Sequence, residues 1–136
     1  MCAVLCVLAD KKIFNMIIEK NIKPFIVDED EFIEIALNKI TSNKSGYVIV
    51  VDHSGAPKGI LTDGDFRRWL LNSEDKRLNQ NVDLISNKKF IVASEESTSE
   101  EINGFFNQQI SFLPLVDNKG RLVAIANSKN LVFTIG

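Results

Sequence analysis

The chain contains an internal repeat with a separation of 65 residues. Residues 25–27, Phe-Ile-Val, recur unchanged as residues 90–92, and the apolar and turn pattern of residues 47–66 recurs in residues 112–131. A half of about 60 residues would be only marginally stable alone, so two similar halves are expected to pack on each other. The repeat therefore predicts two copies of one small unit.

The first copy opens with a short strand and a one-sided helix. Residues 25–27 form an apolar run of strand character, and the acidic residues 28–30 are candidates for the helix N-cap. The apolar residues that follow recur at helical spacing, which predicts one buried face. They are Phe32, Ile33, Ala36, Leu37 and Ile40.

A hairpin and a second helix complete the first copy. Residues 47–51, Tyr-Val-Ile-Val-Val, are continuously apolar, so this strand should be covered on both faces. Residues 52–55, Asp-His-Ser-Gly, are typical of a turn, and residues 58–61 return as a second strand. A helix is predicted from near Thr62.

The second copy repeats this order of elements. It is predicted to contain a strand at 90–93, a helix capped within 94–96, a buried strand at 112–116, a turn at 117–120, a return strand at 121–126 and a last helix from near Ser128. We expect an α/β (α+β) fold of two tandem β-α-β-β-α repeats. The predicted divisions are a helical N-terminal segment at 1–22, repeats at 23–76 and 77–132, and a possible following domain from 133; residues 72–81 are predicted as a polar linker.

Composition excludes several functional classes. The net charge is -2, so no basic surface for nucleic acid is implied. The apolar start, residues 1–9, is too short to cross a bilayer, so no membrane partner is expected. Cys2 and Cys6 provide no disulfide framework and are interpreted as thiols in a reducing cytoplasm. His53, the only histidine, lies in a turn and is expected to be exposed, and no metal site is predicted.

The repeat and its hairpins resemble a CBS domain pair, also called a Bateman module, over roughly residues 23–130. Residues 59–68, Gly-Ile-Leu-Thr-Asp-Gly-Asp-Phe-Arg-Arg, are similar to a segment of the pairs attached to arabinose-5-phosphate isomerases and to sialic-acid-pathway nucleotidyltransferases. Residues 112–117 fit the general family pattern only. The resemblance implies pseudo-twofold packing of the repeats, two clefts between them and assembly into a homodimer.

The resemblance also assigns roles at the start of the second helix. The Thr62 hydroxyl would face a phosphate, the Asp65 carboxylate would accept hydrogen bonds from ribose hydroxyls, and Gly64 would permit close approach. Asp63 lies within the same segment, and Arg67 or Arg68 could hold a phosphate. Residue types alone leave a second interpretation open, in which Thr62 and Asp65 simply cap the helix.

The second copy departs from this pattern, because Asn127 and Asn130 align with Thr62 and Asp65. One working cleft is therefore expected, around the first copy. The base pocket implied by the family would involve Phe25, Val27 and Tyr47, for which plain core packing is the alternative. The predicted ligand-binding residues are Phe25, Val27, Tyr47, Thr62, Asp63, Gly64, Asp65, Arg67, Arg68, Asn127 and Asn130.

The predicted function is regulatory, with no catalytic residues and no enzyme activity. The family resemblance implies sensing of AMP, ADP, ATP or a CMP-sugar, with the signal passed to a tethered or partner enzyme. Residues 131–136, Leu-Val-Phe-Thr-Ile-Gly, resemble the opening strand of sialic-acid synthases, which suggests an enzyme of sialic-acid-like sugar biosynthesis. The alternative is a structural dimerisation module with no ligand. Trp69 is expected to pack at a repeat or dimer contact.

Overall fold

The computed structural model describes residues 16–106 and 110–128, which have a mixed α and β fold. The strands are β1 (Met16–Glu19), β2 (Ile26–Asp28), β3 (Tyr47–Val51), β4 (Pro57–Thr62), β5 (Ala93–Ser94), β6 (Phe112–Val116) and β7 (Leu122–Ser128). The helices are α1 (Ile33–Asn43), α2 (Asp63–Asn72) and α3 (Ser99–Phe106), with short 3-10 turns at Lys23–Phe25 and Val82–Leu84.

These elements belong to two compact units, each with its own sheet. One unit comprises residues 21–90 with 120–122, and the remaining described residues form the other. The first sheet has the order β2-β3-β4, and the second has the order β1-β7-β6-β5. The mixed fold class expected from the sequence is confirmed.

The first unit is built around β3. All five residues of β3 are buried, as the continuous apolar run predicted. β2 pairs with it in parallel and β4 pairs with it antiparallel. The β3–β4 turn ends at Gly55, whose φ of 93° favours glycine. The core on this sheet comprises Val27, Ala36, Ile40, Val48, Val50, Leu61 and Val82.

The start of α1 differs from the prediction that residues 28–30 cap it. The N-cap is Phe32, which makes no side-chain cap and is 47% exposed rather than part of the buried stripe. The backbone N–H groups of Ile33 and Glu34 instead donate to carbonyl oxygens of residues 80 and 78, at 2.9 and 3.1 Å. The predicted linker therefore satisfies the free donors at this helix end.

The chain after that linker also extends the first sheet. Ile60 in β4 exchanges two backbone hydrogen bonds with Asn87, at 3.0 and 2.7 Å. Gly59 lies beside this contact, where a Cβ atom would come 2.5 Å from Ser86 Oγ. The absence of a side chain at Gly59 lets the two backbones approach.

The structure of the second unit differs from three predictions made from the sequence. The helix α3 is capped by Thr98 and Glu101, each accepting the other's backbone N–H at 3.1 and 2.8 Å, rather than by residues 94–96. The strand predicted at 90–93 is shorter and later, as β5. In the N-terminal segment predicted as helical, Met16–Glu19 form β1, which pairs antiparallel with β7.

The pairing of β7 with β1 accompanies a fourth difference, at the end of the second copy. β7 continues to Ser128, where a last helix was predicted to begin. The rest of that predicted helix, the resemblance at 131–136, Cys2, Cys6 and Asn130 lie outside the described residues. Within the described part of the chain, no helix is long and apolar enough to cross a membrane.

The close approach at Gly59 gives a stability prediction. Gly59→Ala is expected to lower the free energy of unfolding by about 1–3 kcal/mol, because the new Cβ overlaps the Ser86 side chain. Urea denaturation measures this loss, and adding Ser86→Gly should restore part of it. Gly104→Ala is the control: among the described residues, nothing beyond its chain neighbours and its own helix backbone lies within 4 Å of the new Cβ, so a helical alanine should be neutral or stabilising. Equal stability of wild type and Gly59→Ala would contradict the packing described.

Candidate functional site

The junction between β4 and α2 carries most of the predicted ligand-binding residues. Thr62 is the last residue of β4 and the N-cap of α2. Its Cα partner across the sheet is Tyr47, the first residue of β3. The Asp63 N–H donates to the Gly46 carbonyl oxygen at 3.0 Å, which fixes the first turn of α2 to the start of β3.

A reciprocal pair of hydrogen bonds closes the first turn of α2. The Asp65 N–H donates to Thr62 Oγ1 at 3.1 Å, and the Thr62 N–H donates to Asp65 Oδ2 at 3.1 Å. This is a capping box with aspartate in place of the usual glutamate or glutamine. The capping interpretation that the sequence left open is thus what the local geometry shows, and any ligand role must be compatible with it.

The second oxygen of Asp65 faces an arginine. Arg68 donates from Nη2 to Asp65 Oδ1 at 2.7 Å, and the exposed fractions of the two side chains are 68% and 14%. The guanidinium also lies over Gly64, where a Cβ atom would be 3.4 Å from Arg68 Nη1. Asp65 is therefore held on one side by the helix cap and on the other by an exposed cation.

The junction offers donors and acceptors of the kinds that bind a nucleotide. Thr62 Oγ1 accepts one hydrogen bond and keeps its own hydrogen for donation. The bonds from Asp63 and Asp65 do not use the N–H of Gly64, which lies between them at the positive end of the helix. Residues 62–68, about two helical turns, thus carry a carboxylate, a hydroxyl, a backbone donor and an arginine.

The other predicted residues of the first unit have different environments. Asp63 and Arg67 are exposed on α2. Phe25 is half-buried in a 3-10 turn and stacks on Tyr47, with ring centroids 5.7 Å apart. Val27 and Tyr47 are each only 3% exposed. This burial favours the core interpretation for Val27 and Tyr47, and leaves Phe25 as the accessible member of the expected base pocket.

The match of Asn127 to Thr62 does not extend to local structure. Thr62 ends its strand and starts a helix, whereas Asn127 lies within β7, paired with Ile17 of β1. β1 has prolonged the strand past the aligned position, so no helix start exists at Asn127. Asn127 belongs to the second compact unit, and its proposed partner Asn130 is outside the described residues.

A cavity of about 240 Å³ lies elsewhere on the first unit, between β2 and α1. Its lining combines apolar side chains with three charged ones, and the Lys39 ammonium at its wall donates to the Ile26 carbonyl oxygen at 2.8 Å. None of its residues belongs to the junction at Thr62. The lining residues are Ile26, Val27, Asp28, Glu31, Ile35, Lys39 and Val51.

The sequence analysis missed a cluster of three polar side chains, which lies at the opposite end of β3 from Thr62. His53 is exposed, as expected, but its Nε2 lies 2.7 Å from Asp30 Oδ2 and 3.6 Å from Asp28 Oδ1. The pKa of His53 is raised above 6.5 because Asp30 accepts a hydrogen bond from the imidazolium and because Asp28 is close by. The separation of 23 residues between His53 and Asp30 gave no local sequence signal for this contact.

The raised pKa of His53 gives a pH prediction. The contact stabilises the fold fully below about pH 6.5, and this stabilisation is lost as the pH rises through the folded-state pKa. NMR titration of the single imidazole, in buffer containing a chelator, should give a pKa above 6.5, and Asp30→Asn should lower it. Glu95→Gln, an exposed acid in the other unit, should leave it unchanged. A wild-type pKa at or below 6.5 would refute the contact.

Comparison with known proteins finds similarity to CBS domains. The family model described as CBS domain matches residues 17–72. A CBS domain-containing protein from Dictyostelium discoideum is 25% identical over 118 residues, which cover 79% of this chain and 81% of that protein. Apart from residues 17–20, the family match falls on the unit that contains the junction at Thr62.

Solved structures extend the likeness over most of the chain. The CbpB protein of Listeria monocytogenes, in complex with c-di-AMP, has a TM-score of 0.70 at 18% identity, covering 93% of this chain and 95% of its own. A CBS-domain containing protein from Agrobacterium tumefaciens has a TM-score of 0.64 at 24% identity, covering 82% and 89%. Staphylococcus aureus OpuCA has a TM-score of 0.67 at 16% identity, covering 90% and 96%. At these identities the likeness concerns the fold.

Proposed function

We propose that this chain, whose residues 17–72 match the CBS domain family model, is a regulatory module that binds an adenine nucleotide or a nucleotide-sugar at the junction of β4 and α2. CBS domains are typically regulatory rather than catalytic. The observation that carries the proposal is the Asp65 carboxylate, which has one oxygen committed to the helix cap and the other to an exposed arginine.

The proposal requires that a ribose hydroxyl replace Arg68 at Asp65 Oδ1. Ion pairs as exposed as this one contribute about 0.2–1 kcal/mol, so the exchange is inexpensive. A hydrogen bond between a hydroxyl and a carboxylate is charge-assisted and contributes about 1.5–3 kcal/mol. The capping bond to Oδ2 remains in place, so the helix start keeps its geometry when the ligand binds.

The displaced arginine and the helix start would then hold the phosphate. Arg68 lies over Gly64, so its guanidinium needs only a rotation of its own side chain to face an anion at that backbone. The Thr62 hydroxyl and the Gly64 N–H supply neutral donors. Asp63 and Asp65 add negative charge to the same turn, which favours a ligand whose phosphate is neutralised by Arg68.

The ligand class is proposed from two observations of different kinds. The CbpB protein of Listeria, with the same fold, has been solved with c-di-AMP, a nucleotide built from adenine, ribose and phosphate. The resemblance of residues 59–68 to sugar-pathway enzymes favours a CMP-sugar instead. The two classes share ribose and phosphate, which are the groups that Asp65 and Arg68 would recognise.

The signal is proposed to reach a tethered or partner enzyme in the cytoplasm. A ligand that binds one conformation better than another shifts the population of the two states, and the enzyme responds to that shift. An enzyme of sialic-acid-like sugar biosynthesis is the partner suggested by residues 131–136, together with the resemblance of residues 59–68.

The proposed site predicts that at least one nucleotide binds the chain. Thermal shift and calorimetry with AMP, ADP, ATP, CMP and a CMP-sugar test this prediction. A ligand at 100 times its Kd should add about 2.7 kcal/mol of stability. Asp65→Asn keeps an acceptor for the Thr62 N–H but removes the charge, so affinity should fall by about 10-fold or more. The 2′-deoxy form of the nucleotide that binds should also have an affinity for the wild-type chain that is lower by about 10-fold or more.

The matched control for Asp65→Asn is Glu101→Gln. Glu101 occupies the same capping position in α3, so this variant also removes one capping carboxylate while leaving the junction intact. Its ligand affinity should equal that of wild type. An Asp65→Asn variant that binds as tightly as wild type would refute the role of Asp65, and no shift with any of the five ligands would favour the structural alternative.

A dimerisation module is the second candidate function, favoured by the apolar side chains of α2, none of which is buried. Leu71 is 78% exposed although it is a large apolar residue, and Phe66 and Trp69, whose ring centroids lie 5.8 Å apart, are half-buried. Several apolar side chains left uncovered on one helix are a candidate surface for binding another protein. A second copy of the chain is the partner proposed here.

The dimer gives its own prediction. Burying one leucine contributes about 1.5–3 kcal/mol, so Leu71→Gln should weaken a dimer by about 10-fold or more in sedimentation-velocity experiments. Leu84→Gln is the matched control, since Leu84 is 70% exposed but lies on a 3-10 turn. A wild-type chain that stays monomeric at every concentration, or equal effects of the two variants, would argue against this surface.

A further inference from the structure

Three side chains from two loops converge at the end of β3 that is remote from Thr62. Asp28 is the last residue of β2, Asp30 follows in the next turn, and His53 lies in the β3–β4 hairpin turn. One ligand atom from each of the three lies within 4.8 Å of the others. An imidazole nitrogen with two carboxylate oxygens is a ligand set suited to divalent first-row transition metals.

The backbone on both sides of this cluster is held by specific hydrogen bonds. Asp28 pairs in parallel with Val51, and the next N–H, that of Glu29, donates to the Val51 carbonyl oxygen at 2.9 Å. In the hairpin turn, Asp52 Oδ1 accepts the N–H groups of Ser54 and Ala56, at 2.9 and 3.0 Å. The sheet therefore sets the distance between the two loops before any ion arrives.

The distances suit a tetrahedral ion after a small adjustment. Ligand atoms about 2.0–2.1 Å from a zinc ion lie about 3.3 Å from one another in a tetrahedron. The distances from His53 Nε2 to Asp30 and Asp28, 2.7 and 3.6 Å, lie on either side of that value. Side-chain movements that change these two distances by about 0.6 and 0.3 Å would bring them to that value, and the ion would replace the present hydrogen bond between His53 and Asp30.

The charges also suit a divalent cation. Asp28 and Asp30 with a neutral imidazole carry a charge of -2, which a divalent ion balances. The neighbouring Glu29 carboxylate is already paired with Lys58 at 2.7 Å, so that lysine is committed to a residue outside the cluster. The three side chains are 44%, 65% and 70% exposed, which leaves the ion's remaining positions open to water.

We propose that Asp28, Asp30 and His53 form a surface binding site for a divalent transition-metal ion, with Zn²⁺ as the best fit. Each side chain supplies one ligand atom and water completes the tetrahedron. The site is separate from the nucleotide junction at Thr62 and does not depend on it, since the two lie at opposite ends of β3.

The test uses the full chain with Cys2→Ser and Cys6→Ser, so that thiols do not compete for the ion. His53 is the only histidine, so its ring nitrogen signals can be followed without ambiguity while ZnCl₂ is added. We expect the Nε2 signal of His53 to shift with saturation, and MnCl₂ to broaden the signals of the same ring. An unperturbed ring at 1 mM Zn²⁺, roughly the weak limit of specific sites, would overturn the proposal.

Variants separate coordination from general attraction to negative charge. In calorimetry, His53→Gln and the double variant Asp28→Asn/Asp30→Asn should each weaken Zn²⁺ binding by about 10-fold or more. The control Glu95→Gln/Glu96→Gln removes two exposed acids from the other unit and should bind Zn²⁺ as the parent chain does. An equal loss in the control, or no loss in His53→Gln, would overturn the proposal. Nucleotide binding should be unchanged in His53→Gln, so the two sites are tested independently.

Discussion

The burial of β3 between its two neighbours is the constraint on which both candidate sites depend. Its five residues are all buried, and its parallel pairing with β2 and antiparallel pairing with β4 fix the register of the first sheet. At the Tyr47 end of β3, that register brings the end of β4 and the start of α2 next to Tyr47. At the Val51 end, it places Asp28 beside the hairpin turn. One buried strand thus positions two polar groups of different chemistry.

The elements that the sequence predicts correctly are those specified by residues that lie next to one another in the chain. The continuous run at residues 47–51 specified a strand buried on both faces, and the turn that follows has the glycine with positive φ that its sequence requires. Thr62 was placed correctly at a helix start because its hydroxyl and the Asp65 carboxylate satisfy backbone donors within one turn. Each of these signals lies within a few residues of the structure it specifies.

The features missed are those that depend on contacts distant in sequence. The donors at the start of α1 are satisfied by carbonyl groups more than 40 residues later, so an acidic run before the helix was a misleading cap signal. β1 becomes a strand because β7 offers an edge, which the apolar N-terminal composition alone could not reveal. The cluster at His53 requires the parallel register of β2 and β3, and no spacing rule predicts that register.

The two capping boxes show why a motif alone does not assign a ligand. Thr62 with Asp65 and Thr98 with Glu101 make the same reciprocal bonds at their helix starts, so capping explains both pairs equally well. What distinguishes the first is the second carboxylate oxygen of Asp65, which faces an exposed arginine lying over a glycine. An arginine in that position keeps the carboxylate satisfied without a ligand, and in the proposed binding mode the ligand displaces it. The capping bond keeps the helix start fixed, and the exchangeable bond is the one through which a ribose could act.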